Sequence, residues 1–185
     1  SGFSYKEWKN IFYPEDIPQK KWFEYYCTKF NTVELNVTFY HFPKIEYLQQ
    51  WYSRSPENFS FAVKAPRIIT HYKKFINTQE LITQFYETIS NGLQQKLACV
   101  LFQAPASFIY SEEHLQLILD QTDSSFINVV EFRHSSWCQE KIDKALAKNN
   151  ITLGRRNHPS LPDEVIKNTA TVYYRFHGAP RLYYS

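Results

Sequence analysis

Six short runs rich in Val, Phe and Tyr alternate with amphipathic stretches along this 185-residue chain. That alternation predicts an α/β fold in which helices cover a parallel sheet. Two further observations favour a TIM-like (β/α) barrel over an open doubly wound sheet. No GxGxxG or P-loop fingerprint follows any run, although nucleotide-binding open sheets carry one or the other. Several runs also place polar side chains near their C-terminal ends, where barrels build active sites. The expected organisation is one barrel domain over residues 1–185.

Each element has a local reason. Ser1–Tyr5 reads as the tail of a strand, and Pro18–Phe30 as a helical segment. Thr32–Tyr40 and Ser60–Arg67 read as strands, being rich in β-branched and aromatic residues. Ile45–Ser55 is the helical stretch between them. Thr78 is the expected N-cap of the next helix, with Leu81, Phe85 and Ile89 forming its stripe and Gly92 its stop. Ala98–Gln103 follows as a strand. Ser111 then caps a helix whose apolar face is Leu115, Ile118 and Leu119. Asn128–His134, Ile151–Gly154 and Thr171–Gly178 complete the strands, with Ile142 and Leu146 marking a helix after Trp137. Strand starts fall roughly 20 to 38 residues apart, the size of a strand–helix unit.

Composition narrows the function classes. The chain is 43% apolar and 21% charged, which suits one folded domain. No apolar run approaches the roughly 18 residues that a membrane span needs. A net charge of +3 is too mild to demand nucleic acid or an anionic membrane. Cys27, Cys99 and Cys138 are widely spaced with no CxxC pair, so thiols in a reducing cytoplasm are expected. Aromatic content of 18% points to a bulky core and a cleft able to stack against a ligand.

Strand side chains alternate between faces. That groups Glu34, Asn36 and Thr38 on the first full strand and Lys64 with Ala62 on the second. It selects Gln103 on the third, Glu131 with Arg133 on the fourth, and Arg175 with His177 on the last. Buried charges cost several kcal/mol per ion unless paired, so five strands offering polar groups together indicate a site. A structural ion network is the bland alternative. In the functional reading, Glu34 and Glu131 are the general acid and base. Lys64, Arg133 and Arg175 would hold an anionic group, His177 would shuttle a proton, and Gln103 and Asn36 would fix hydroxyls.

Other readings stay open. Glu34, Glu131 and His177 could ligate a divalent metal, although no HxH or HExxH pattern supports it. Lys64 could form a Schiff base. His71, His134 and His158 sit near loops and read as surface or packing histidines. Trp8, Tyr40 and Trp137 read as lid packing or as stacking platforms. Arg67, Lys73 and Lys74 could meet phosphates, which makes a nucleic-acid or nucleotide-binding module the alternative from another class.

Six blocks add a resemblance: SGFSYKEWKNIFYP (Ser1–Pro14), FNTVELNVTFY (Phe30–Tyr40), FSFAVKAPRIITH (Phe59–His71), LACVLFQAPASF (Leu97–Phe108), VVEFRHSSW (Val129–Trp137) and VYYRFHG (Val172–Gly178). In order and content they resemble the YecE-like family, the domain of unknown function seventy-two. The resemblance implies a TIM-like barrel, incomplete in this sequence: its first strand truncated, its eighth strand and last helix missing. It implies no established reaction. It places motif residues on Tyr5, Trp8, Glu34, Asn36, Lys64, Arg67, His71, Gln103, Glu131, Arg133, His134, Trp137, Arg175, His177 and Gly178, and so adds Tyr5, Trp8 and Arg67 to the substrate-binding set. ITLGRRNHPSLPD (Ile151–Asp163) matches more weakly. The expected function is acid–base chemistry, as a hydrolase, isomerase or lyase, on a small anionic or hydroxyl-rich molecule.

Overall fold

The computed structural model describes residues 2–157 and 165–176. In chain order the elements are α1 (Trp22–Cys27), β1 (Thr32–Leu35), α2 (Val37–Tyr40), α3 (Ile45–Arg54), β2 (Ser60–Lys64), a π-helical turn (Ile68–Tyr72), α4 (Gln79–Leu93), β3 (Leu97–Gln103), α5 (Glu112–Gln121), β4 (Asn128–Glu131), α6 (Glu140–Lys148), β5 (Ile151–Asn157) and β6 (Tyr174–Phe176). The chain divides into two compact units. One is Ser1–Pro66 with Thr83–Ala98, the other Arg67–Ile82 with Cys99–Ser185.

In the first unit β1 and β2 pair in parallel, Thr32 opposite Ser60 through Leu35 opposite Val63. In the second, β3, β4, β5 and β6 pair in parallel in sequence order, with Gln103 opposite Glu131 and Glu131 opposite Gly154. The parallel α/β class is therefore as expected. No pairing among the described residues closes the strands into a barrel.

Several strands are shorter than the sequence suggests. The run Thr32–Tyr40 is a strand only to Leu35, and Val37–Tyr40 is helical. The Thr38 hydroxyl explains the break: it donates to the Lys64 carbonyl at 2.6 Å, with the Leu35 carbonyl at 3.1 Å. That bond ties the end of β1 to the end of β2 and removes Thr38 from the alternation proposed for Glu34 and Asn36. The fourth strand likewise ends at Glu131, so Arg133 is carried by the loop beyond it. The fifth is longer than expected, reaching Asn157. Residues 2–5 form no strand, although the Gly2 N–H reaches the Glu34 carbonyl at 3.1 Å.

Two helix signals also mean something different in three dimensions. Gly92 lies within α4, which runs to Leu93 before a 3₁₀ turn at Gln94–Lys96. A Cβ at Gly92 would come 2.5 Å from Leu48 Cβ, so the missing side chain is what lets α4 approach α3. Thr78 turns its hydroxyl to the Gln121 side-chain oxygen at 2.7 Å rather than to the helix start. Gln121 in turn donates to the Phe75 carbonyl at 2.6 Å. This buried clasp holds a segment in which Lys74, Phe75 and Asn77 all have positive φ, a conformation costing about 1–3 kcal/mol per non-glycine residue. The fully buried Phe75 ring, packed on Phe102 and Phe108, offsets that cost. Ser111 caps α5 as expected, accepting the His114 N–H at 3.1 Å. Ile142 and Leu146 are fully buried on α6.

Candidate functional site

The polar centre of the second unit is Glu131, the last residue of β4 and fully buried. Parallel pairing puts Gln103 beside it on β3, and the Gln103 amide donates to Oε1 at 2.7 Å. From β6, Arg175 donates through Nη1 to Oε2 at 2.9 Å with its side chain only 10% exposed. Both carboxylate oxygens thus act as acceptors, which suits the ionised form. Arg133, two residues beyond the strand, brings Nε to 3.7 Å from Oε1. That distance is an ion pair and not a hydrogen bond. Arg133 Nε is itself buried and has no hydrogen-bond partner among the described residues.

On the other side of Glu131 the strand neighbour is Gly154. A Cβ there would meet Val129 Cγ1 at 2.9 Å and Glu131 Cβ at 3.6 Å. Val129 is fully buried and stiff at χ1, so only glycine leaves this flank of the carboxylate unstrained.

The loop after β4 is built rigidly. Trp137 is 2% exposed, its ring stacked 3.8 Å from Phe132 and 5.4 Å from Phe108, and its indole N–H donates to the Phe108 carbonyl at 2.6 Å. Of the two roles open to Trp137, packing is the one its burial supports. Ser136 is tied in the same way: the Tyr110 N–H donates to its hydroxyl oxygen at 2.9 Å. His134 Nδ1 accepts the Ser136 N–H at 3.1 Å and lies 2.8 Å from Ser136 Oγ.

The first unit holds its own share of the expected residues. Lys64 ends β2, is 7% exposed, and lays its ammonium 3.9 Å from the centre of the Phe39 ring, a close cation–π contact. Glu34 lies on β1 and Asn36 just after it, both half-buried. The Tyr5 and Trp8 rings meet at 4.9 Å, tilted by 49°, around a 3₁₀ turn. Arg67, in the second unit, is exposed and lies 5.3 Å over the Tyr72 ring. His177 and His158 lie outside the described residues.

The second unit therefore brings together Gln103, Glu131, Arg133 and Arg175, and the first holds Tyr5 with Trp8 and Lys64 with Phe39. Among the described residues no group of three His, Cys, Asp or Glu could hold a metal ion. None of the three cysteines forms a disulfide. Burial pushes the Cys27 thiol up to about 11, so it is a poor nucleophile at neutral pH. No helix among the described residues is long and apolar enough to cross a membrane. Sequence reasoning missed Ser136 and Gly154. A glycine inside a strand signals close approach and could have pointed to Gly154; the Ser136 contact depends on folding and left no signal.

These strand-end groups belong to an α/β protein of an uncharacterised class. The family model described as "Protein of unknown function DUF72" matches residues 1–185, and the chain belongs to that family. It is similar to UPF0759 protein YecE of Escherichia coli (strain K12), at 30% identity over 151 residues, 81% of this chain and 53% of that protein. It is also similar to UPF0759 protein YunF of Bacillus subtilis (strain 168), at 30% identity over 135 residues, 69% of this chain and 48% of that one. The chain thus spans about half the length of the curated relatives it matches. Among solved structures, a DUF72 family protein (TM1631) from Thermotoga maritima MSB8 aligns with a TM-score of 0.86 at 31% identity, over 97% of this chain and 73% of that chain. A DUF72 family protein (EF0366) from Enterococcus faecalis V583 shares the fold, with a TM-score of 0.75 at 23% identity, over 85% of this chain and 64% of that chain.

Proposed function

We propose that this chain supplies a (β/α)-barrel enzyme site that binds a small anionic, hydroxyl-bearing molecule, such as a phosphorylated sugar, at the C-terminal ends of its strands and acts on it by acid–base chemistry. The observation that carries this reading is Arg133. Its Nε is buried without a hydrogen bond, beside a carboxylate whose two oxygens are already engaged by Gln103 and Arg175. A buried N–H left unbonded costs about 1–3 kcal/mol, and a ligand oxyanion would recover it. Glu131 is then the ionised partner in the chemistry, held by Gln103 and Arg175.

A thermal-shift panel on the full-length protein tests this, with sugar phosphates, organic acids, divalent metals and short oligonucleotides as probes. A ligand at 100 times its Kd should stabilise the fold by about 2.7 kcal/mol. The expected result is a shift with one small anion that is lost in Arg133→Ala. With that compound as substrate, Glu131→Gln should retain folding and binding while abolishing turnover; unaltered turnover would sink the assignment.

One observation favours a second reading. The Arg67 guanidinium over the exposed Tyr72 ring, followed by Lys73 and Lys74, offers stacking and charge together, as single-stranded nucleic-acid binders do. A shift with oligonucleotides alone, collapsing as salt is raised, would select a nucleic-acid or nucleotide-binding module instead.

A further inference from the structure

Three residues past the end of β4, the imidazole of His134 is fixed through one nitrogen only. The Ser136 backbone N–H reaches Nδ1 at 3.1 Å, and Ser136 Oγ lies 2.8 Å from the same atom. A backbone N–H can only donate, so Nδ1 carries the lone pair and the neutral ring carries its proton on Nε2. The Ser136 hydroxyl then donates to that lone pair as well, while its oxygen accepts the Tyr110 N–H at 2.9 Å. The loop cannot easily relax this arrangement, because Trp137 is clamped between Phe132 and Phe108.

The other nitrogen is left to do something. Among the described residues nothing accepts a hydrogen bond from His134 Nε2–H, which is not buried, and the neighbouring Arg133 Nε–H, which is buried, also lacks an acceptor. Two consecutive residues each carry a donor without a protein acceptor, and the first of them, Arg133, lies beside a carboxylate already engaged by Gln103 and Arg175. A serine–histidine pair could also suggest nucleophilic catalysis. A working nucleophile–base pair, however, needs the imidazole oriented by a third group on its far nitrogen. Here the serine itself does the orienting.

We propose that His134 Nε2–H and the Arg133 guanidinium together bind one oxyanion group of the substrate, and that Ser136 is the positioning residue that fixes the His134 tautomer. This rests on the anionic-substrate reading above and names the residues that take the anion. Arginine supplies charge and a planar fork; the neutral imidazole adds a directional donor without a second full charge. A phosphoryl group and a carboxylate share the chemistry required.

The test uses the full chain labelled with ¹⁵N, with the His134 ring signals assigned from His134→Gln. Long-range ¹H–¹⁵N spectra should show the Nε2–H tautomer in the parent protein and the same tautomer in Ser136→Ala, whose backbone N–H still reaches Nδ1, but with a less ordered ring. Inorganic phosphate and acetate, titrated separately, should produce saturable shifts at His134 Nε2 and Arg133 Nε with at least one of them, and the tighter of the two identifies the substrate's anionic group. Ser136→Ala should weaken that binding by about tenfold, the worth of one hydrogen bond, with circular dichroism unchanged and melting lowered only slightly by loss of the Tyr110 N–H bond, and Ser136→Thr should restore it. An Nδ1–H tautomer in the parent, or anion binding that moves Arg133 but leaves His134 still, overturns the assignment of His134 while the broader function stands. Undiminished binding in Ser136→Ala overturns the positioning role. If neither anion binds and no sugar phosphate or organic acid raises the melting temperature, both readings fail.

Discussion

Lys96 and Glu131 are both charged residues buried at opposite ends of strands, and the chain treats them differently. Lys96 immediately precedes β3, in the 3₁₀ turn after α4. Its ammonium donates to the Tyr52 carbonyl at 2.7 Å, the Ser55 carbonyl at 2.8 Å and Ser55 Oγ at 2.9 Å. Those three acceptors match its three donors. Because the carbonyls sit at the C-terminal end of α3, the cation also faces the negative pole of that helix. Glu131, at the C-terminal end of β4, is surrounded by donors, yet the adjacent Arg133 Nε is left without a hydrogen bond. A buried charge with every valence satisfied is a structural staple. One whose surroundings hold an unspent donor is a place for a ligand.

The largest effect should come from Glu131→Ala. It strands Arg175, whose side chain is 10% exposed, without its carboxylate, and removing one partner of a buried ion pair costs about 3–5 kcal/mol. Urea denaturation measures it. A loss below 1 kcal/mol would mean that Arg175 finds water or another anion, and would weaken the contrast with Lys96. Lys96→Met comes next. It keeps the stem but orphans the Ser55 carbonyl, while the Tyr52 carbonyl keeps the Ser55 hydroxyl as donor, for about 1–3 kcal/mol, and it should leave every ligand response untouched. An altered response to anions in Lys96→Met would break the division into staple and site.

Arg133→Ala should do the reverse. Its side chain is 30% exposed and its pairing with Glu131 is long, at 3.7 Å, so the stability change should stay within about 1 kcal/mol. The anion-induced rise in melting temperature should disappear. Measured side by side, the three variants separate stability from binding.

How much of this was legible in the sequence depends on range. Alternation along a strand is a local property, and it selected Gln103, Glu131 and Arg175, which parallel pairing does bring together. The same argument failed where a strand ended early. Thr38 leaves β1 because its hydroxyl finds the Lys64 carbonyl, a contact 26 residues away in the chain. Gly92 looked like a helix stop because glycine commonly is one; only the packing of α4 on α3 shows that the position excludes a side chain. Lys96 carried no signal as a staple, since nothing local distinguishes it from a solvated lysine.

The smallest expected effect sets the scale for the others. Arg54 grips Glu24 in the first unit with two hydrogen bonds, Nε to Oε1 and Nη2 to Oε2, both at 3.0 Å. The geometry is as favourable as that around Glu131, but the side chains are 40% and 35% exposed. The Arg54 hydrogen bonds hold the Glu24 carboxyl below its usual value of 4.5. A group whose folded value is depressed contributes its stability above the unfolded value and loses it as pH falls through the folded one. Glu24 should therefore stabilise fully above about pH 5 and progressively less below pH 4.5. Solvent screening limits the contribution to about 0.2–1 kcal/mol. Comparing melting temperatures of the parent and Glu24→Gln from pH 7 to pH 3 should show a small gap that closes on acidification and shrinks with added salt. A gap as large as that of Glu131→Ala would mean that geometry and not burial governs these pairs, and the reasoning that separates the buried centre from the surface would have to be rebuilt on hydrogen-bond count alone.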